Sequence, residues 1–468
     1  MNKKLISTLL CTTMVAGCLA GCGSSSSSSA KKSGSSEKKD EPKVTSFGDK
    51  SGEHLELWTF VGQHADFYGK MVKKWNEENP DRKIYLKATT YPYSDMHTKL
   101  TMTLQSKKGA PDICDVEVGQ FPNVVKGKEE WLYPLDEAMK PYESTMVKSR
   151  LETYAGSDGK HYGAPFHVGA TVMYYNLGEL EKYGITQADV DAVKTWDDYE
   201  ALGKKYVDAR GEKDKFFTSV DTGGTDWLWL AMSEYGEDWT GGNKKGAKPN
   251  VELKSVKKML KFQQKLLKEK VAQVSTDGQI DTDGGIADIG NNTVVSFPKA
   301  LWYMSRFKDR LGEDAGKKNQ AGKWYIAKCP VFEEGQPCSV GIGGTGTVVT
   351  AQSKQKKLAA DFLCYAKMSE EGETAIWEDL GFDVCNKALW DKCNDQADNF
   401  YNKFFRNKPY DVLKSFSDDD IGMIAVTKNL PAINEQINTT TLNDVLENGK
   451  DVDEALSEAQ STIESEAE

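Results

Sequence analysis

The chain has 468 residues, a formal net charge of −11 at pH 7, 38% hydrophobic residues and 10% aromatic ones, eleven of them tryptophan. An acidic balance without a basic tract interleaved with aromatics argues against nucleic acid as a partner. A body of roughly 400 residues is more than one core usually supports, so two lobes are expected, and tryptophan in this abundance suggests a stacking surface as well as a core.

At the N-terminus Lys3 and Lys4 precede an apolar stretch from Leu5 to Ala16 and then small residues ending at cysteine. This is the pattern of a secretory signal and not of a membrane span. Val15, Ala16 and Gly17 precede Cys18, and Leu19, Ala20 and Gly21 precede Cys22. Both strings resemble the lipobox of bacterial lipoproteins, in which the signal is cut before a cysteine that then carries a lipid. Cys22 is the expected lipidated residue because the polar tail starts right after it; Cys18 is the alternative. Residues 1–21 are thus read as signal and 22–50 as a flexible tether, whose Ser, Lys, Gly, Glu and Asp cannot bury enough surface to offset ordering. No later stretch is apolar for long enough to cross a bilayer.

His54 to Phe60 reads as a strand, followed by a helix from about Asp66 to Asn79 with Phe67, Met71, Val72 and Trp75 at helical spacing and a stop at Pro80. Lys83 to Thr89 alternates like a strand, Tyr93 to Lys107 reads as a helix, and Asp112 to Val118 as a strand. This alternation predicts parallel sheets covered by helices. His161 to Asn176 is β-rich. Trp196 to Val207 is helical, capped by Thr195 with Asp197 and Asp198 in the first turn. Glu252 to Lys270 is an amphipathic helix with a lysine face. Thr293 to Phe297 is a short buried strand meeting Pro298, Ser339 to Thr350 is a glycine-rich strand region, and Lys354 to Met368 and Ser369 to Leu380 are helices.

The segments LELWTF to WNEENP, GAPDICDVEVGQFPNVV with WLYPLDEAM, GKHYGAPFHVGATVMYYNLGELEKYGI with TWDDYEAL, and VGIGGTGTVV with KLAADFLCYAKMSEEGE follow one another along most of the chain. In this order, behind a lipobox, the sequence resembles the family 1 extracellular solute-binding proteins of ATP-driven importers, which include maltose- and oligosaccharide-binding proteins. The resemblance implies a two-lobed, periplasmic-binding-protein-like α/β fold of type II, each lobe a mostly parallel sheet flanked by helices, with the ligand cleft between them. Lobe 1 is expected at 51–165 plus 338–370, lobe 2 at 166–337 plus 371–455, and an acidic tail at 456–468. It also implies a carbohydrate ligand, the permease subunits of the importer as partners, and a monomer anchored to the membrane through its lipid.

A sugar offers a C–H face that stacks on aromatic rings and an equator of hydroxyls that needs polar partners, so its site should combine aromatics with carboxylates or amides. The loop after the first strand carries Gln63, His64 and Asp66. The end of Asp112 to Val118 carries Glu117 and Gln120, where ligands of open α/β sheets sit. Asp226, Trp227 and Trp229 form a third group, in which two tryptophans two residues apart cannot share a helix face, so only one is expected to reach ligand. Trp302, just past a strand and Pro298, resembles the family's stacking position, and His167 lies at an expected crossover between lobes.

Gly341 to Gly346 spells GxGxxG, but Thr347 to Thr350 continue as strand where a dinucleotide site needs a helix. Gly343, Gly344 and Thr345 are read instead as a segment of close backbone approach, which the resemblance puts beside the cleft, or as a bulge made for packing. No HExxH or GxSxG motif is present, the run Asp277, Asp281, Asp283 and Asp288 lacks the glycine and glutamate of a calcium loop, and neither metal nor cofactor nor catalytic residue is expected. A tethered polysaccharide hydrolase or lyase is the rival reading, since paired carboxylates cannot be recognised by spacing. Cys114, Cys329, Cys338, Cys364, Cys385 and Cys393 remain either disulfide-bonded, with 329–338 and 385–393 the shortest loops, or free.

Overall fold

The computed structural model describes residues 41–125, 128–242, 247–417 and 420–466, which leaves the signal, Cys18, Cys22 and the first part of the tether outside the described residues. Strands β1 (Lys43–Gly48), β2 (Glu53–Thr59), β3 (Ile84–Thr90), β4 (Ile113–Glu117), β5 (Leu132–Tyr133) and β6 (Gly163–Pro165) come first in the chain. They are followed by β7 (Thr171–Asn176), β8 (Thr218–Val220), β9 (Ala272–Val274), β10 (Ser296–Ala300) and β11 (Trp324–Ala327), then β12 (Ser339–Gly341), β13 (Thr345–Thr350) and β14 (Ile421–Met423). One sheet has the order β1-β3-β2-β4-β13-β5, with β6 also on β13; a second has the order β10-β7-β11; β8 with β9 and β12 with β14 form two small pairs.

The strand directions correct the expectation of mostly parallel sheets. In the first sheet β2 runs parallel to β3 and β4, but β1 is antiparallel to β3, and β13 is antiparallel to β4, β5 and β6. The second sheet is antiparallel throughout. The reason is how the chain enters. β2, β3 and β4 run towards the end of the sheet where Glu117 lies, whereas β13 starts there, opposite Glu117, and runs back. A strand arriving from the other lobe must point away from that end and therefore pairs antiparallel.

Three boundaries also differ from the sequence reading. Residues 43–48, placed in the tether, form an edge strand on β3, and Phe47 lies against helix α1 (Gly62–Glu78) at Gly69. A short edge strand needs little apolar side chain because the ladder satisfies its backbone. The C-terminal stretch is helical, as its sequence reads, but the helix Val452–Glu466 is no free tail: it buries Leu456, Ala459 and Ile463 at helical spacing. The segment after Ser369, assigned to the second lobe, packs on α1 and on the helix Lys356–Met368 of the first. Pro298, read as the residue that ends a strand, instead lies inside β10 opposite Met173, which an edge strand tolerates.

Thr195 caps the helix Trp196–Arg210 in a full capping box with Asp198, as its sequence predicts. Most of the tryptophans are core: Trp75 meets Phe362 and Tyr365 edge-on, and Trp196 lies against Tyr199, Trp227 and Phe262. The six cysteines of the body are free thiols, five of them buried.

The first lobe is centred on a buried carboxylate. Asp115 of β4 accepts from Thr59 at 2.7 Å, His64 at 3.0 Å, Tyr68 at 3.1 Å and Thr347 at 2.7 Å, and Lys367 donates to Thr347 at 2.6 Å and to the Ala164 carbonyl at 2.7 Å. Burial alone would push the carboxyl up, but the His64 hydrogen bond and charge, Lys367 and Thr59 outweigh it and hold it at about 2. Because the folded value lies below the unfolded one, the stabilisation is complete above the ordinary carboxylate range and is lost as pH falls from about 4 towards about 2, amounting to about 2 kcal/mol. Urea denaturation across that window should therefore show Asp115→Asn to be less stable than the parent at neutral pH and to have a flatter acid limb.

Candidate functional site

Two chain crossings and one accompanying segment join the lobes: residues 166–170 between β6 and β7, residues 342–344 between β12 and β13, and residues 382–386 beside them. Arg150, fully buried, ties the first two. Its Nε and Nη2 donate to the Val168 carbonyl at 2.9 and 2.5 Å, and Nη2 donates to the Gly343 carbonyl at 3.1 Å. The third segment joins through Asp383, whose carbonyl accepts from Val168 N and whose carboxyl accepts from Ala170 N at 2.9 Å. Gly169 has φ +74°, and a Cβ there would stand 2.5 Å from the Arg150 guanidinium and 2.7 Å from the Ile342 carbonyl.

In front of these crossings lies a cleft of about 730 Å³, the size of an ordinary small-ligand site. The first lobe contributes Tyr93, Glu117, Gly119 and Gln120; the second contributes Thr225, Asp226, Trp229, Gln279, Asp281, Lys299 and Trp302; Ile342 and Gly343 form its floor. Asn434, Glu435 and Asn438, from the helix beginning at Leu430 and the turn after it, complete one wall.

Trp302, half-buried, is fixed at its polar edge: the indole Nε1 donates to the Ile342 carbonyl at 3.1 Å, so the ring's orientation is set by the crossing itself. Lys299 and Arg306 stand 5.6 and 5.9 Å from the centre of that ring. Lys299 is buried and ion-paired with Asp226 at 2.7 Å. Burial would depress its pKa, but the carboxylates of Asp226, Asp221 and Asp281 override this and keep the ammonium charged. Arg306 is paired with Asp281 at 2.7 Å. Glu117 accepts from Gly119 N at 2.7 Å and from the Tyr93 hydroxyl at 3.1 Å, and its pKa is raised by burial. The cleft therefore presents one oriented aromatic face, two internally compensated ion pairs, and amides and carboxylates that suit hydroxyl donors and acceptors.

Of the candidates read from sequence, Glu117, Gln120, Asp226, Trp229, Trp302 and Gly343 line the cleft. Trp227 does not, because the helix Asp226–Tyr235 turns it into the core beside Trp196 while Trp229 faces the cleft edge-on to Trp239. Gln63, His64 and Asp66 are not in the lining either. Helix α1 turns His64 inward onto Asp115 and Phe166, and leaves Gln63 and Asp66 on its exposed side, where Gln63 donates to Asp309 of the second lobe. His167 is buried between the crossings against Phe382, with Nδ1 4.0 Å from Asp383; burial, then Arg150 and Lys367, pushes its pKa well down, so it is neutral. Gly344 abuts Tyr154 behind the cleft, and Thr345 is buried in β13. The acidic run is consumed by the fold, with Asp281 on Arg306, Asp283 on Arg310 and Asp288 accepting from Gln273 and Thr276.

Sequence reasoning missed Tyr93, Lys299, Asn434, Glu435 and Asn438. A lysine in an otherwise buried strand three residues before Trp302 was the one available signal for Lys299. The amides of the late helix gave none, because only folding brings them to the cleft.

A family described as bacterial extracellular solute-binding protein matches residues 70–389, more than half of the chain, and the chain belongs to that family. Among particular relatives, an arabinooligosaccharide-binding protein of Halalkalibacterium halodurans is 37% identical over 430 residues, covering 91% of this chain and 92% of the relative. An arabinooligosaccharide-binding protein of Bacillus subtilis is 32% identical over 444 residues, with 94% and 93% covered. The sugar-binding protein MalE of Xanthomonas citri superposes with a TM-score of 0.70 at 15% identity over 88% of this chain and 96% of its own, a likeness of fold.

Gly343 has φ +68°, and a Cβ there would lie 3.0 Å from the Trp302 indole nitrogen. Gly343→Ala should therefore cost about 1 to 2 kcal/mol of stability from the left-handed backbone alone and also displace the ring. Denaturant unfolding and the intrinsic fluorescence of Trp302, read against Trp302→Phe, check both effects.

Proposed function

We propose that this chain is a lipid-anchored receptor on the outer face of the cytoplasmic membrane that captures a neutral oligosaccharide, of the arabinose class, and presents it to the permease subunits of an ATP-driven importer. The observation that carries the reading is Trp302, an aromatic face locked to an interlobe crossing in a cleft that amides and carboxylates also line, in a chain whose two relatives above are named for arabinooligosaccharides. Ligand held by both lobes favours the closed arrangement, which a permease can then select over the open one. The lobes move as a monomer in this scheme, and no bond is made or broken.

The two cations beside Trp302 are compensated within the protein, Lys299 by Asp226 and Arg306 by Asp281, which leaves Glu117 and Glu435 as the balance of the lining. That surplus of carboxylate disfavours acidic sugars and suits hydroxyls.

A hundredfold excess of arabinooligosaccharide over its dissociation constant should stabilise the protein by about 2.7 kcal/mol, visible as a thermal shift. Trp302→Ala should weaken binding by about 1 to 3 kcal/mol, the scale of ring stacking on aromatics, while leaving most of the unliganded stability in place. Calorimetry decides it: full affinity in the variant makes Trp302 a packing residue, and release of shortened glycans during incubation favours the hydrolase reading instead.

Anchoring rests on the cysteine at the end of the signal, and no helix among the described residues is long and apolar enough to cross a membrane. Cys22→Ala should move the protein from the membrane fraction to the medium or block its processing. Retention of lipid labelling in Cys22→Ala, with loss in Cys18→Ala, would transfer the role to Cys18.

A further inference from the structure

Helix α2 (Tyr93–Gln105) leaves the rim of the cleft with an uncharged polar face. Ser94, Thr98, Thr101 and Gln105 recur at helical spacing and so share one face, with Met102 bordering it. Solvent faces of surface helices are normally charged. Here the two charged side chains of the helix interior, Asp95 and Lys99, stay out of the face, and Lys99 is turned to Tyr91 and Trp58.

Between this face and the segment Gln120, Asn123 and Lys128 runs a groove of about 580 Å³. Tyr93 and Gln120 line both the groove and the interlobe cleft, so the two spaces meet at those residues. Lys128, its one charged side chain, is spoken for by the Asn123 carbonyl at 3.1 Å and the Trp131 ring. Among the described residues, the large apolar side chains left exposed are Val44, Tyr93 at 39% and Met102 at 63%, and the last two stand near opposite ends of the groove. Twelve residues of helix separate Tyr93 from Gln105, a length of about 18 Å.

We infer that this groove is an outer binding site for the far residues of a long neutral oligosaccharide whose near end occupies the cleft. The inference rests on the carbohydrate reading given above and extends it to chain length. Hydroxyls and amides along the face match sugar hydroxyls as both donors and acceptors. The Tyr93 ring and the Met102 thioether offer the apolar surface that the C–H faces of a sugar prefer. Continuity through Tyr93 and Gln120 supplies the path. A face without net charge fits a neutral chain and offers no grip on an anionic one.

The test is a calorimetric titration with arabinooligosaccharides from the disaccharide to the octasaccharide, using the parent, Thr98→Glu and Met102→Ala. Both substituted side chains are exposed, and thermal unfolding of the unliganded variants verifies that the fold is kept. In the parent, affinity should go on rising by about tenfold beyond the length that fills the cleft. The variants should bind the disaccharide as the parent does and lose that gain. A parent whose affinity is flat with length, or variants that keep the gain, would overturn the inference. Variants that keep the gain but abolish uptake in cells would make the face a permease contact instead. Failure of every length, the disaccharide included, would bring down the carbohydrate reading and the groove with it, an outcome distinct from loss of the length gain alone.

Discussion

Arg150 donates to carbonyls on two different chain crossings, Val168 on one and Gly343 on the other, from a position with no exposure to solvent. The crossing at residues 166–170 is buried, so its backbone groups must find partners within the protein. A guanidinium satisfies several at once with a planar, rigid fork that a lysine could not reproduce. Asp383 adds the third segment through its own carbonyl and carboxyl. Burial raises the Asp383 carboxyl to about 7, against the pull of backbone hydrogen bonds and the Arg150 charge.

The site inherits its geometry from that joint. Trp302 is not simply an aromatic ring on the second lobe, since its nitrogen is bonded to Ile342 of the crossing. A ring so placed is fixed to the crossing by one hydrogen bond. The charged groups around it follow the same economy. Lys299 with Asp226 and Arg306 with Asp281 are closed pairs, and buried charges are tolerable when paired in this way.

Much of this was readable from the residues. The helix Trp196–Arg210 with its Thr195 cap, the strand that ends at Glu117, and the rule that only one of Trp227 and Trp229 could reach the cleft all follow from local chemistry and from periodicity. These are properties of a few neighbouring residues, and the sequence states them directly. The departures share a cause. Lys43–Gly48 looked like tether because an edge strand draws its stability from a partner forty residues away, and Pro298 looked like a stop because nothing local says that β10 lies at a sheet edge.

The sequence by itself determined the longer secondary elements and their order, the family resemblance and the types of residue a sugar site would use, because each depends on short-range spacing and composition. The tertiary structure alone decided which of those residues meet. His64 and Gln120 both follow a strand end, yet one serves the buried Asp115 and the other the cleft. Lys299, Asn434 and Tyr93 come from distant parts of the chain and share a site only because the crossings held by Arg150 bring the two lobes face to face. Such convergence is a long-range property of packing, and spacing along the chain carries no record of it.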